Sequence, residues 1–143
     1  MKKKLKLLIG IAILMVVVLT IFIVVQIHQE TYEITIPSLE KITLVSIDSL
    51  SQYDNVSEFK DKEAITRIYH IFSNQTTTQE SMCDNPENPD TLFLVTFETE
   101  NGESIKAYIY EKNNQYYIEQ PYNGIYTITK RDFETIQNLV TES

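Results

Sequence analysis

Residues 91–129 read TLFLVTFETENGESIKAYIYEKNNQYYIEQPYNGIYTIT, and this stretch predicts four short β-strands joined by tight turns. The first strand is apolar on both faces, which is typical of a strand in the middle of a sheet. Strands joined by such short turns must run antiparallel. The turns are marked by Gly and Asn, which tolerate positive φ, and by Pro: Asn101-Gly102, Asn113-Asn114 and residues 121–124.

The segments on either side of this stretch add two strands and two helices. Residues 31–36 alternate apolar and polar side chains, residues 41–47 are β-prone, and residues 49–55 are polar and turn-rich. A helix capped by Ser57 or Asp61 and running to about Asn74 would bury Phe59, Ile65, Ile68, Ile71 and Phe72. A second helix follows a sequence resembling a capping box, Thr129 with Asp132, and would bury Phe133, Ile136, Leu139 and Val140. We therefore expect an α+β fold with an antiparallel sheet of five to six strands and both amphipathic helices packed on one face.

A basic cluster and a long apolar segment precede this domain. The nineteen residues from Leu7 to Val25 carry no charge, and as a helix they would extend ~28 Å, close to the ~30 Å of a bilayer core. Positive flanks stay in the cytoplasm, so this segment predicts a single-pass transmembrane signal anchor with the C-terminal domain outside the cell. The cluster consists of Lys2, Lys3, Lys4 and Lys6.

A cleaved signal peptide and a buried soluble helix are the alternatives for this segment. The apolar stretch is longer than the ~7–15 residues of a signal peptide, and residues 26–30 contain no A-x-A cleavage pattern. No Cys follows the stretch directly, which excludes a lipoprotein. The predicted organisation is a cytoplasmic tail at residues 1–6, a transmembrane anchor at 7–27 and an extracytoplasmic domain at 28–143.

The acidic residues of the chain lie entirely in that last part. All twenty acidic residues lie from Glu30 onward with the remaining eight basic residues, so this part carries −12 against −8 for the whole chain. This charge excludes a nucleic-acid binder; it would attract cationic peptides, basic protein surfaces or Ca²⁺, although solubility is its simplest role. The lone Cys83 cannot form an intramolecular disulfide, which fits an exported protein of a Gram-positive bacterium.

Three segments resemble a family of small membrane-anchored, extracytoplasmic proteins of Firmicutes that is classified as a domain of unknown function. They are residues 32–47, residues 90–110 and residues 117–126, the last reading YIEQPYNGIY. The tyrosine-rich segment is the most specific of the three. The resemblance implies a bacterial exported domain, and it supplies no catalytic residue.

A tyrosine cluster in the hairpins is the first candidate site. Tyr108 and Tyr110 share one face of their strand, opposite Ile105 and Ile109, so they would line a sheet face that the helices leave open. Tyrosine combines apolar area with a hydroxyl, which suits recognition. The alternative is ordinary cross-strand pairing of aromatic side chains. The cluster comprises Tyr108, Tyr110, Tyr116, Tyr117, Tyr122 and Tyr126.

An acidic loop and a Cys–His pair are weaker candidates. The loop offers oxygen ligands of the type that Ca²⁺ prefers, but it lacks EF-hand spacing and a glycine and contains two prolines, so we interpret it as a solvated loop. Cys83 and His70 could form a nucleophile pair only if the fold brought them together. The sequence has no G-x-S-x-G or H-E-x-x-H motif, and we predict no enzyme activity, metal or cofactor. The loop ligands would be Asp84, Asn85, Glu87, Asn88 and Asp90.

These observations predict a non-catalytic, membrane-anchored binding module for a protein, a peptide or a cell-wall component. The alternative is a structural subunit or spacer of an envelope complex (a transporter, sensor or immunity system), in which the transmembrane helix makes the specific contacts. The expected partners are the membrane, through the segment from Leu7 to Val25, and an envelope protein, peptide or wall component, but not nucleic acid.

Overall fold

The computed structural model describes residues 2–27, 30–50 and 55–142. It divides into two compact units, Met1–Glu30 and Thr31–Ser143. The second unit contains a six-stranded antiparallel sheet, in which the strands lie in the order β3-β2-β5-β6-β7-β8. These strands are β2 (Ile42–Ser49), β3 (Asn55–Phe59), β5 (Thr91–Thr99), β6 (Ser104–Lys112), β7 (Gln115–Gln120) and β8 (Gly124–Ile128). A separate two-stranded ribbon pairs β1 (Tyr32–Glu33) with β4 (Thr76–Thr77).

Two amphipathic helices, α2 (Lys62–Phe72) and α3 (Lys130–Thr141), supply the other half of the core. Asp61 caps α2 by accepting a hydrogen bond from the Ala64 backbone N–H at 2.8 Å. Thr129 caps α3 by accepting one from the Asp132 N–H at 3.2 Å. Each cap satisfies a backbone donor that the first helical turn leaves without a partner. Both helices therefore begin next to a strand end, where the chain turns back onto the sheet.

The core lies between these helices and one face of the sheet. Aromatic contacts join the layers: Phe72 of α2 meets Phe97 edge-on at 5.3 Å, and Phe93 lies 5.9 Å from Phe133 of α3. The alternating strand residues Val45 and Ile109 are fully buried beneath them. Because side chains alternate along each strand, burying this set sends the intervening residues to the opposite face.

The N-terminal unit contains one helix, α1 (Lys2–Ile27). No helix in the part of the chain that the structure describes combines the length and the apolar character that a bilayer crossing needs. On this finding, the predicted transmembrane helix from Leu7 to Val25 is wrong.

Two further expectations differ from the structure. Residues 55–59 form strand β3, where the sequence predicted a turn and the start of a helix. Phe59 is buried in this strand opposite Val45, because pairing with β2 outweighs the weak local propensity. The expected strand at residues 31–36 is reduced to the two residues of β1. Most of the polar turn expected at residues 49–55 lies outside the described residues.

Candidate functional site

The sheet face opposite the helices carries a pair of stacked tyrosines. Tyr110 of β6 and Tyr117 of β7 are direct cross-strand partners. Their ring centroids lie 5.3 Å apart and their planes differ by 27°. Tyr108 lies on the same face one pleat further along β6, opposite Glu119. The alternation of β6 therefore places Tyr108 and Tyr110 on the face that the helices leave open, as the sequence predicts.

A loop crosses this face instead of leaving it open to solvent. We call residues 78–90 the covering loop. At one end it pairs with the outer edge of β8: the Ile125 N–H donates to the Gln79 carbonyl at 2.9 Å, and the Ser81 N–H donates to the Asn123 carbonyl at 3.2 Å. The loop thus satisfies backbone groups of a sheet edge that would otherwise be exposed.

The other end of the covering loop is fastened to the β6–β7 hairpin. The Asn113 N–H donates to the Asp90 carboxylate at 2.8 Å, and the Lys112 ammonium donates to the Glu87 carbonyl at 2.7 Å. Between the two ends, the Tyr108 hydroxyl donates to the Asn85 side-chain oxygen. The loop therefore spans the sheet from β8 to β6 and contacts each strand on the way.

A cleft of about 470 Å³ lies between the covering loop and the sheet. This volume falls within the ~300–1,000 Å³ typical of small-ligand sites. The tyrosine stack forms part of its wall, and polar side chains form most of the remainder. Its lining is Gln79, Glu80, Met82, Cys83, Asn85, Glu87, Tyr110, Lys112, Asn113, Gln115, Tyr117, Glu119 and Ile125.

Glu119 is the most deeply placed acidic residue of this cleft, since only 4% of it is exposed. Its carboxylate accepts a hydrogen bond of 2.7 Å from the hydroxyl of Ser81 in the covering loop. The hydroxyl of Tyr110 is also bonded to Glu119. A buried carboxylate is costly without such donors, so these two contacts fix Glu119 at the floor of the cleft.

The phenol groups around Glu119 are held in the neutral form. Burial raises the pKa of Tyr110 well above its usual range, and the charge of Glu119 and the hydrogen bond to it raise this pKa further. Burial also raises the pKa of Tyr108, with smaller contributions from Asp84 and Glu119. Both phenols are therefore harder to ionise than a free tyrosine, which is itself neutral at physiological pH, and both remain hydrogen-bond donors.

The six predicted tyrosines do not form one surface. Tyr116 and Tyr126 lie on the helix-covered face, where Tyr116 contacts Phe133 at 5.0 Å and Tyr126 is 1% exposed. Tyr122 is 68% exposed in the turn between β7 and β8 and does not line the cleft. A hydrogen bond to Asp84 raises its pKa. The stacked pair and Tyr108 are the members that share a face.

The acidic loop does not have the arrangement that a metal site requires, and Cys83 and His70 do not have the arrangement that a nucleophile pair requires. Asp90 binds a backbone N–H, and no group of three or more His, Cys, Asp or Glu within the described ranges could hold a metal ion. Cys83 is exposed on the covering loop. His70 lies on α2, which packs against the opposite face of the sheet. The sheet therefore separates the two side chains.

Sequence reasoning missed the residues that complete the cleft. Ser81 and Glu119 are 38 positions apart and meet only because the covering loop folds back over β7. Lys112 directly precedes the predicted turn at Asn113-Asn114 and gave no separate signal. The one available clue was the strand parity of Glu119, which alternation places on the same face as Tyr117.

Comparison with known proteins assigns the domain to a family but gives it no activity. A solved structure, "NMR structure of the protein from Ruminococcus gnavus", is similar with a TM-score of 0.56 and 26% identity, and the match covers 69% of this chain and 97% of that one. A search of curated proteins gives no match. The family model DUF5301, described as "Domain of unknown function (DUF5300)", matches residues 30–127. The chain therefore belongs to this family of unknown function.

Proposed function

We propose that this protein is a non-catalytic binding module that holds a peptide, or an exposed segment of another protein, in the cleft beneath the covering loop. The observation that carries the proposal is the stack of Tyr110 and Tyr117 in the wall of a cleft of about 470 Å³. Tyrosine is enriched in recognition surfaces because its ring is rigid and its hydroxyl can form hydrogen bonds.

The arrangement of polar groups supports binding over catalysis. The cleft brings together carboxylate, amide and phenol groups that can pair with a peptide backbone. Cys83 lines the cleft. His70, its candidate partner in a nucleophile pair, lies on α2 on the other side of the sheet. The thiol therefore has no imidazole base beside it, which a Cys–His nucleophile pair requires. Recognition is therefore the chemistry that these residues support best.

The binding test compares two tyrosine variants of the full chain. Arrays of synthetic peptides and purified peptidoglycan fragments serve as probes. We expect the wild type to retain a subset of peptides, Tyr117→Ala to lose them, and Tyr122→Ala to keep them, because Tyr122 is exposed outside the cleft. Thermal unfolding of each variant establishes that it is folded. Equal peptide retention by the two variants, or retention of peptidoglycan fragments alone, would contradict the proposal.

Cys83 gives an independent measurement in the unmodified protein. It is the single cysteine of the chain and lines the cleft with an exposed thiol. A peptide that occupies the cleft should slow the reaction of this thiol with Ellman's reagent. A retained peptide that leaves the rate unchanged binds elsewhere, and this outcome would also count against the cleft.

We also propose that the domain works outside the cytoplasm of a Gram-positive bacterium of the Firmicutes. Support comes from the basic residues Lys2 to Lys6 ahead of an apolar segment, a pattern typical of export signals, and from a domain with a single cysteine. Protease added to intact cells should degrade residues 31–143, with a cytoplasmic protein as the control. Protection of the domain until the cells are lysed would contradict this location.

A further inference from the structure

We propose that the cleft selects a cationic group, the guanidinium or ammonium of a basic side chain in the bound peptide, and that Glu119 is its counter-ion. This inference rests on the proposed binding function and adds the chemical class of the ligand. It follows from three features of the cleft: the pairing of Glu119, the sum of charges along the lining and the faces of the stacked rings.

Glu119 has neutral partners and no cation of its own in the described part of the chain. Its carboxylate contacts the hydroxyls of Ser81 and Tyr110. The ion pairs among the described residues are Lys60–Glu58, Arg67–Glu63 and Lys130–Glu134, and none includes Glu119. A buried carboxylate with neutral donors alone can gain most from a positively charged partner brought by a ligand.

Two of the three other charged side chains along the cleft have the same sign as Glu119. Glu80 and Glu87 also line it, against the single ammonium of Lys112. That ammonium is engaged by the Glu87 carbonyl at 2.7 Å. With three carboxylates against one ammonium, the lining carries more negative than positive charge, so it attracts a cation and repels an anionic ligand.

The tyrosine stack supplies the second half of a cation site. Tyr110 and Tyr117 are partners at 5.3 Å, and Tyr117 is only partly buried, so one ring of the pair is accessible from the cleft. A cation above an aromatic ring is attracted by the negative charge of the ring face, and guanidinium groups also stack on such rings. The combination of ring and buried carboxylate fits a basic side chain better than a neutral one.

The test compares two peptides that differ only in charge. A heptapeptide with a central arginine and the same heptapeptide with citrulline are titrated into the ¹⁵N-labelled full chain, and the amide signals of residues 117 and 119 are followed. We expect the arginine peptide to bind at least about 10-fold more tightly, because citrulline keeps the shape and loses the charge.

Two matched charge variants and one ring variant locate the charge preference. Glu119→Gln should reduce the difference between the peptides to less than about 2-fold. Glu103→Gln, which removes the same charge from the exposed turn after β5, should leave the difference intact. Tyr117→Leu should weaken the arginine peptide more than the citrulline peptide, since it keeps apolar volume and removes the ring face.

The outcomes separate the two proposals. Equal affinity of the two peptides in the wild type overturns the cation site and leaves peptide binding in place. Tighter binding of the citrulline peptide also overturns the cation site. If neither peptide shifts residues 117 and 119 while other peptides do, the cation site is likewise wrong. Failure of every peptide to bind overturns both.

Discussion

Tyr126 places a hydroxyl group in the core without a hydrogen-bond partner among the described residues. Burial raises the pKa of this phenol to about 12, because the ionised form would lose its hydration. The pKa of Tyr110 is raised as well. Both groups therefore have a higher pKa in the folded protein than the value of about 10 expected for an unfolded chain.

This difference predicts a loss of stability at alkaline pH. The stabilisation is complete below pH of about 10 and is lost as the pH rises toward 12, because the unfolded state releases these protons first. Urea unfolding at pH 8 to 11.5 should show a falling free energy of unfolding. Tyr126→Phe should make the decline shallower and should be at least as stable at pH 7, since it removes a buried hydroxyl without a partner. A decline of the same steepness in this variant would contradict the assignment to Tyr126.

At the residue scale, the sequence predicts which tyrosines share a sheet face only if the alternation of side chains along each strand is taken into account. Tyr108 and Tyr110 are two positions apart and do share a face. Tyr116 and Tyr117 are adjacent in one strand, so they must point to opposite faces, and grouping them by closeness in sequence was the error. Tyr126 is also placed in the core by its pairing with Ile118.

At the scale of elements, the turn between β7 and β8 holds Tyr122 at φ 56°. The Asn123 N–H donates to the Gln120 carbonyl at 3.0 Å and closes this turn. A positive φ costs a residue with a Cβ roughly 1–2 kcal/mol relative to glycine. The strained residue is the exposed tyrosine that reaches Asp84 of the covering loop.

This strain can be measured by comparing two substitutions. Tyr122→Gly should be about 1 kcal/mol more stable to urea than Tyr122→Ala, because both remove the side chain and only glycine adopts positive φ without strain. Equal stability of the two variants would show that the turn relaxes. The comparison needs no wild-type reference, since the contact with Asp84 is lost in both.

The hairpins were predictable because their turn residues carry the signal locally. Gly102 has φ 82°, and Asn113 and Asn114 have φ of 54° and 59°, as tight turns between strands require. Strand β3 and the covering loop were not predictable in this way. Residues 78–90 have no periodicity, and their path depends on partners in β6, β7 and β8 that are distant in sequence.

At the scale of the whole molecule, the core lies entirely within the second unit. Its fully buried members include Val45, Ile118 and Ile136, and the cluster runs from Ile42 to Ile136. We therefore predict that a chain of residues 31–143 folds alone, with one cooperative urea transition and dispersed amide signals. Ile118→Asn in the same chain serves as a destabilised control. A gradual transition of the unsubstituted domain would contradict independent folding.

The sequence also predicts the α+β class, because each amphipathic segment needs an apolar partner. The error at this scale concerns α1, where the length of the apolar run suggested a membrane crossing. Apart from the position of Glu119 on the same face as Tyr117, the sequence carries no signal for the cleft, since the cleft forms only after the covering loop is fastened at both ends. Fold class follows from periodicity, whereas a site enclosed by a loop depends on tertiary contacts.

The covering loop also limits how copies of this sheet could associate. Its residues 79–81 occupy the β8 edge, so an additional strand could join at the β3 edge. Two copies that paired through β3 would form a twelve-stranded sheet whose outer edges are both occupied by covering loops. Growth through strand pairing would then stop at the dimer, because neither outer edge of that sheet would accept a further strand.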